Sequence, residues 1–462
     1  MCSLRSGTTY ERAQHRLPSR RPGSYATSCR QGTDPDGDFL YRGGSTPRLR
    51  PRPSAGSTGG VGLRPGEIAV DLAIFAATLT AADTRVNRHS EAQDGWTREI
   101  TLETPVSDPA LWASVSDLLV QMLNFLTGDR WSLRFRARAP GLKRLAPAPL
   151  RLPLHRPKDV CLFSGGLDSY IGAIDLLEKK RSSLLVSHYW DGVTSAHQSL
   201  CADRLEKAYP KSDLIHLRAR VGFPTGAVPT SSGENSLRGR SFLFFALAAL
   251  AADAIDDDVT IHVPENGLIS LNVPLDPLRL GSLSTRTTHP YYMARWNELL
   301  GQLGIRAKLH NRYRHQTKGE MAAGCENKPL LMKTAKDTMS CSSPAKARWV
   351  KAPPQHCGHC VPCLIRRASL QVGLGSDPTT YTLPDLHARP LDAAKAEGEH
   401  IRAFQLAIAQ LRTRPSRARF RIHQPGPLND LPDELLQYEA VYVNGLNEVD
   451  ALVRGVVVKP MG

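Results

Sequence analysis

The segment VCLFSGGLDSYIGA, Val160 to Ala173, constrains the fold of this chain more tightly than any other. DVCLF is a short apolar run, the pattern of a parallel strand buried on both faces. LDSYIGAIDLLEKK sets Leu167, Ile171, Ile174 and Leu177 at helical spacing. Ser164-Gly165-Gly166 joins the two. In an α/β sheet such a turn lies at the carboxyl end of a strand, where ligands bind. Glycines let the backbone approach a ligand, and the helix start offers free N–H groups and the positive end of its dipole. With their hydroxyls and amides, Ser164, Gly165, Gly166, Leu167, Asp168 and Ser169 read as a cradle for a phosphate or pyrophosphate. Asp168 alone repels phosphate, so its use is to hold a divalent cation that bridges to the phosphates. The plainer alternative is a tight βα turn with an acidic helix start. The lysine of a Walker A loop is missing.

The strand–helix alternation continues. SSLLVSHYW, DLIHLRARV and DDVTIHVPEN read as strands; SAHQSLCADRLEKAYP and SLRGRSFLFFALAALAADAI read as helices. This predicts an open, parallel, doubly wound α/β sheet. Arg240 and Ser241 open the long helix, where Arg240 either reaches a phosphate or pairs with an acid. Glu265, Asn266 and Gly267 follow the fourth strand and belong to the same sheet edge. Upstream, EIAVDLAIFAATLTAA, TREITLETPV and RWSLRFRAR read as strands. Asp108 and Pro109 open a helix that Gly128 ends. Residues 66–150 are thus expected to form a small α+β unit. A Pro- and Arg-rich linker ends near Lys158, and residues 376–462 read as a helical extension.

The net charge of +15 suggests nucleic acid, but its location weakens that reading. Residues 1–65 carry eleven arginines, no lysine and four acidic residues, a net +7, and are rich in Gly, Ser and Pro. They are expected to be disordered, as a spacer or as a basic tail. No stretch reaches the roughly 18 apolar residues of a membrane span. The first residues lack the apolar region of a signal peptide. The chain reads as soluble and cytoplasmic, without a membrane partner.

Cys341, Cys357, Cys360 and Cys363, in SCSSPAKARWVKAPPQHCGHCVPCLIRR, carry the strongest metal signal. Four thiolates suit a closed, structural zinc site; an iron–sulfur cluster is the alternative. His356 and His359 lie outside the ligand set, and Cys161, Cys201 and Cys325 stand isolated.

SGGLDS resembles the SGGxDS loop of the PP-loop ATP pyrophosphatases. Together with the Arg-Ser helix start, RHQTKGEM and TMSC…CGHCVPCLIRR, it resembles the QueC-like 7-cyano-7-deazaguanine synthases over residues 158–375. The resemblance implies a PP-loop domain with a zinc module (341–363), ATP and Mg²⁺ held by the SGGLDS loop, zinc on the four cysteines, and Lys318 in the nucleotide or substrate site. It implies adenylation of a 7-deazaguanine carboxylate, releasing pyrophosphate, followed by amide or nitrile formation.

The chain departs from the biosynthetic enzymes in its length, in SHYWDGVTSAHQ after the second strand and in PENGLISLNVPLDP after the fourth. An N-terminal unit ahead of a QueC-like core resembles the QatC proteins of the Qat anti-phage system. Those are encoded beside an ATPase, a small partner protein and a TatD-like nuclease. This implies a changed acceptor: an amine on a partner protein. The amine must lose a proton, and His188 and His197 are the candidate bases, or else plain hydrogen-bonded histidines. Housekeeping queuosine synthesis, a tRNA-modifying PP-loop enzyme and an idle binding scaffold are the other readings.

Overall fold

The computed structural model describes residues 64–146, 157–222, 233–234, 238–255, 257–276 and 286–460, with three short strands (Leu4–Ser6, Phe39–Leu40 and Pro51–Arg52) placed by their backbones. The expectations for residues 1–65 and for the linker before Lys158 otherwise lie outside the described residues.

DVCLF forms the strand Asp159–Leu162, all four residues buried. Counting from the first large element, this is β3. The structured chain runs α1 (Glu67–Arg85), β1 (Glu99–Val106), α2 (Ser116–Thr127), β2 (Arg130–Ala137), β3, α3 (Leu167–Glu178), β4 (Ser183–Tyr189), α4 (Gly192–Ala208), β5 (Leu214–Arg220), α5 (Arg240–Asp253), β6 (Val259–His262), α6 (Gly267–Leu271), α7 (Pro290–Gln302) and β7 (Ala307–His310). α8 (Lys318–Ala323), α9 (Val361–Leu374), α10 (Ala396–Thr413) and α11 (Leu435–Val453) follow.

The main sheet has seven strands: β7-β6-β3-β4-β5 are parallel, and β5 also pairs with Phe39–Leu40 in parallel and with Pro51–Arg52 antiparallel. The chain starts in the middle at β3, moves outward through β4 to β5, then returns to lay β6 on the other side of β3. Strand direction of travel therefore reverses between β3 and β6, and a crevice opens at their carboxyl ends. Both SGGLDS and Glu265-Asn266-Gly267 belong to that edge.

The N-terminal unit corrects two expectations. EIAVDLAIFAATLTAA is the helix α1, with nearly all of its residues buried. Its apolar run fits a strand or a buried helix equally; its length and alanine content favour the helix. The helix opened by Asp108 is two helices. Asp108 caps the short turn Pro109–Ser114, and α2 starts anew after Val115. β1 and β2 pair in parallel, with Leu4–Ser6 antiparallel to β1.

This unit shares one continuous core with the main sheet. Phe75 of α1 meets the rings of Trp112, Phe135 and Phe242 at 5.6–5.9 Å, and Phe242 belongs to α5. A buried ion network reinforces the junction. Arg98 is fully buried, with Nη2 2.8 Å from Asp83 Oδ1 and 2.6 Å from Asp129 Oδ2. Asp83 Oδ2 also accepts from Gly239 N (2.7 Å), the residue that precedes α5. A second core joins α10 and α11 to α6 and α9.

Arg98→Met should lower stability by about 3–5 kcal/mol in chemical denaturation, because Asp83 and Asp129 lose their central partner inside the protein.

Candidate functional site

At the end of β3 the chain turns sharply. Gly165 has φ +79°, and a Cβ there would lie 3.1 Å from Gln198 N, so the position is fitted to glycine twice over. Ser164 Oγ lies 3.1 Å from Ser169 Oγ and accepts from Gly166 N at 3.3 Å. Leu167 contributes only its backbone here, because its side chain is fully buried in the core.

Asp168 is the centre of the site, at 5 % exposure. Its Oδ2 accepts from Asn266 N (3.1 Å) and Asn266 Nδ2 (2.7 Å), and its Oδ1 is 2.6 Å from Lys318 Nζ. Burial opposes ionisation of Asp168, but the Lys318 ammonium and a hydrogen bond with Glu265 hold its carboxyl below the usual range. Burial and the Asp168 charge push Glu265 well above that range. The two shifts run in opposite directions, favouring the charged form of Asp168 and the neutral form of Glu265. Two neighbouring carboxyl groups and the buried Lys318 side chain meet where strand travel reverses.

Three further groups position this centre. Asn266 caps α6, its Oδ1 accepting from Ile269 N at 3.1 Å. Gly267 supports packing: its N–H donates to Gln316 O (2.8 Å), and a Cβ there would lie 2.2 Å from Arg314 O. Lys318 begins α8, whose capping box is Thr317 with Glu320. Glu448, from α11, accepts from Thr317 Oγ1 and from Gly319 N (3.3 Å), on either side of Lys318. Glu448 was invisible in the sequence, since it lies 130 residues downstream of Lys318 in a plain amphipathic pattern.

The four expected cysteines converge. The Sγ atoms of Cys341, Cys357, Cys360 and Cys363 all lie within 4.8 Å of one another. The Cys341–Cys360 and Cys357–Cys363 separations are 4.0 and 3.9 Å. A tetrahedron with metal–sulfur bonds of about 2.3 Å has edges of about 3.8 Å. Backbone N–H groups of Cys357 and Ser343 point at Cys341 Sγ (3.3 and 3.4 Å). This cluster is built to hold a metal ion such as zinc.

The cysteine module also closes over the SGG turn. Met339 N donates to Gly165 O at 2.8 Å, and Leu167 N donates to Ser340 Oγ at 3.3 Å. Arg366, fully buried, donates to Ala335 O (2.6 Å), Thr338 Oγ1 (2.8 Å) and Ser340 Oγ (3.3 Å) and so fixes that segment. Ser340 and Arg366 flank the cysteines in sequence; nothing in their spacing assigns them to the turn.

The remaining candidates separate. His197 is half-buried, and its Nδ1 lies 2.8 Å from Asp337 O, which leaves Nε2 as the acceptor. His188 is buried, and desolvation together with the Arg240 cation pushes its pKa down to about 3. It is far too weak a base for chemistry near neutrality. Arg240 lies over the Trp190 ring at 4.0 Å. Ser241 is buried beside Tyr292.

No protein-family model matches the chain, and no curated protein matches it.

The purified chain should carry one tightly bound metal ion. Cys363→Ser should remove it, as read by elemental analysis, and lower the unfolding midpoint by about 10 °C.

Proposed function

We propose that this chain is an ATP-dependent, AMP-forming enzyme of the PP-loop, QueC-like kind. It activates a 7-deazaguanine carboxylate and passes it to an amine on a protein partner, within an anti-phage defence system. The observation that carries this reading is the Asp168–Glu265–Lys318 cluster beside an SGGLDS turn at the switch point of a parallel sheet.

A carboxylate is a poor acyl electrophile because its leaving group is oxide. Attack of a carboxylate oxygen on the α-phosphorus of ATP forms an acyl adenylate and expels pyrophosphate. Attack of the amine then forms the amide and expels AMP. Ser164, Gly165, Gly166 and Ser169 would hold the pyrophosphate. Asp168 and Glu265 would hold Mg²⁺, which when bound would offset charge developing on the leaving group. Lys318 supplies a fixed positive charge to the same group. His197 Nε2 would take the proton of the attacking amine. Zinc on the four cysteines would be structural, its four ligands leaving no open position.

A cavity of about 450 Å³ beside the cysteine module offers room for a heterocycle, although no residue of the Asp168 centre lines it. It lies between α6, α9 and α10, with Leu268, Val273 and Phe404 as apolar walls and Asn272, Ser342 and His400 as polar groups. That size and lining suit a planar heterocycle. The tRNA-thiolation reading needs a reactive thiol. Burial and Asp337 push Cys201 up to about 12, and burial raises Cys161 further, so neither forms a thiolate at neutral pH.

Incubation with ATP, Mg²⁺ and 7-carboxy-7-deazaguanine should give acid-dependent AMP and pyrophosphate. Asp168→Asn and Glu265→Gln should each lower turnover by about 100-fold or more, whereas Ser241→Ala should leave it near wild type. ADP as the product, or AMP formation independent of the acid, would exclude the reading. Intact mass of a co-expressed partner should show the amide adduct.

A further inference from the structure

In the loop between the first cysteine and the other three, Lys346, Arg348, Trp349 and Lys351 line neither the cavity above nor the SGG turn. Residues 342–356 contain Lys346, Arg348 and Lys351 and no acidic residue. Trp349 is 76 % exposed and Val350 57 %, an unusual display for the largest apolar side chain type. Lys346, Arg348 and Lys351 are exposed as well, and among the described residues none of the three forms an ion pair.

The display is held in shape. Pro344–Val350 is a 3₁₀ helix. Lys351 closes it in the left-handed region at φ +57°, with Lys351 N bonded to Arg348 O (3.0 Å) and Ala352 N to Ala347 O (3.2 Å). Ala347, 2 % exposed, anchors the inner side. At the base, Gln355 N meets Pro344 O at 3.4 Å, and Cys341 and Cys357 clamp the two ends. In a 3₁₀ helix residues three apart eclipse, so Lys346 stands over Trp349. The Arg348 guanidinium carbon is 5.1 Å from the Trp349 ring centroid.

We infer that this loop is a docking site for single-stranded nucleic acid, with Trp349 stacking on a base and Lys346, Arg348 and Lys351 neutralising phosphates. An exposed indole face ringed by cations matches what single strands offer, an unpaired π-face and regularly spaced negative charge. Lysine is depleted in the cores of protein interfaces, which argues against an apolar protein partner at the same spot. Neither contact reads the sugar, so RNA and DNA should bind alike. The inference is independent of the adenylation reading, since none of these residues touches the SGG turn or Asp168.

The test is fluorescence anisotropy of labelled oligouridylate and oligothymidylate with the full, metal-loaded chain at about 50 to 200 mM salt. Trp349→Ala should weaken binding about tenfold. The triple change Lys346→Glu, Arg348→Glu, Lys351→Glu should lower the slope of log affinity against log salt by about 2. Both variants should keep wild-type circular dichroism, metal content and AMP formation. Absence of oligonucleotide binding by the wild-type chain would overturn the inference. So would a Trp349→Ala variant that binds like wild type, or polyglutamate binding with equal affinity and salt slope. Loss of AMP formation in every sample, wild type included, would count against the adenylation reading alone.

Discussion

The buried carboxylate of Asp168 sets the terms for the rest of the site. A charge taken out of water must be met by partners, or it neutralises. Its partners come from separate stretches of chain: Asn266 and Glu265 after β6, and Lys318 at the start of α8. Meeting them requires β6 to lie beside β3, which the return of the chain after β5 achieves. It also requires α8 to be aimed at the sheet edge, and the capping box at Thr317 with the Glu448 carboxylate does that. One ion pair thus ties strand order, helix capping and the C-terminal helices into a single geometry. Because Asp168 is shifted down and Glu265 up, repulsion between the two neighbouring carboxyls is relieved.

The cysteine module contacts the SGG turn, and the N-terminal unit contacts the helix α5. The cysteines hold the segment Thr338–Cys341, and that segment supplies Ser340 Oγ and the Met339 amide to the SGG turn. A structural metal would therefore order the turn without touching a substrate. The N-terminal unit works through the core instead. Its helix α1 packs on α5 through Phe75 and Phe242, and Asp83 binds the amide that precedes α5. It is joined to the main sheet by shared apolar surface and a buried ion network, so it cannot swing as a tethered module.

Most of the central architecture was legible in the sequence because its signals are local. The strand–turn–helix of residues 160–173, the following alternation and the CxxCxxC spacing each lie within a short window. Asp168 was legible through its motif. What escaped depends on distance or on ambiguity. Glu448, Ser340 and Arg366 act through contacts that no local pattern encodes. α1 was misread because an apolar run of alanines, leucines and isoleucines carries no clear period when every face is buried. β7 is four residues long, and only Leu309 in it is fully enclosed, so it left no readable strand pattern. His188 and Ser241 were named for their place in the chain. Burial, which the sequence does not show, removes His188 as a base and points Ser241 into the core.

The reach of Glu448 back to Thr317 and Gly319 has a consequence for how the protein is made. A ribosome delivers the chain from the N-terminus, and the sheet, the SGG turn and all four cysteines emerge before residue 448 does. Until α11 arrives, the loop ahead of Lys318 lacks its carboxylate clamp, so the nascent protein holds a folded sheet with an unfinished centre. A chain stalled or clipped before α11 would carry the sheet and the turn without the carboxylate that fixes Thr317 and Gly319 beside Lys318.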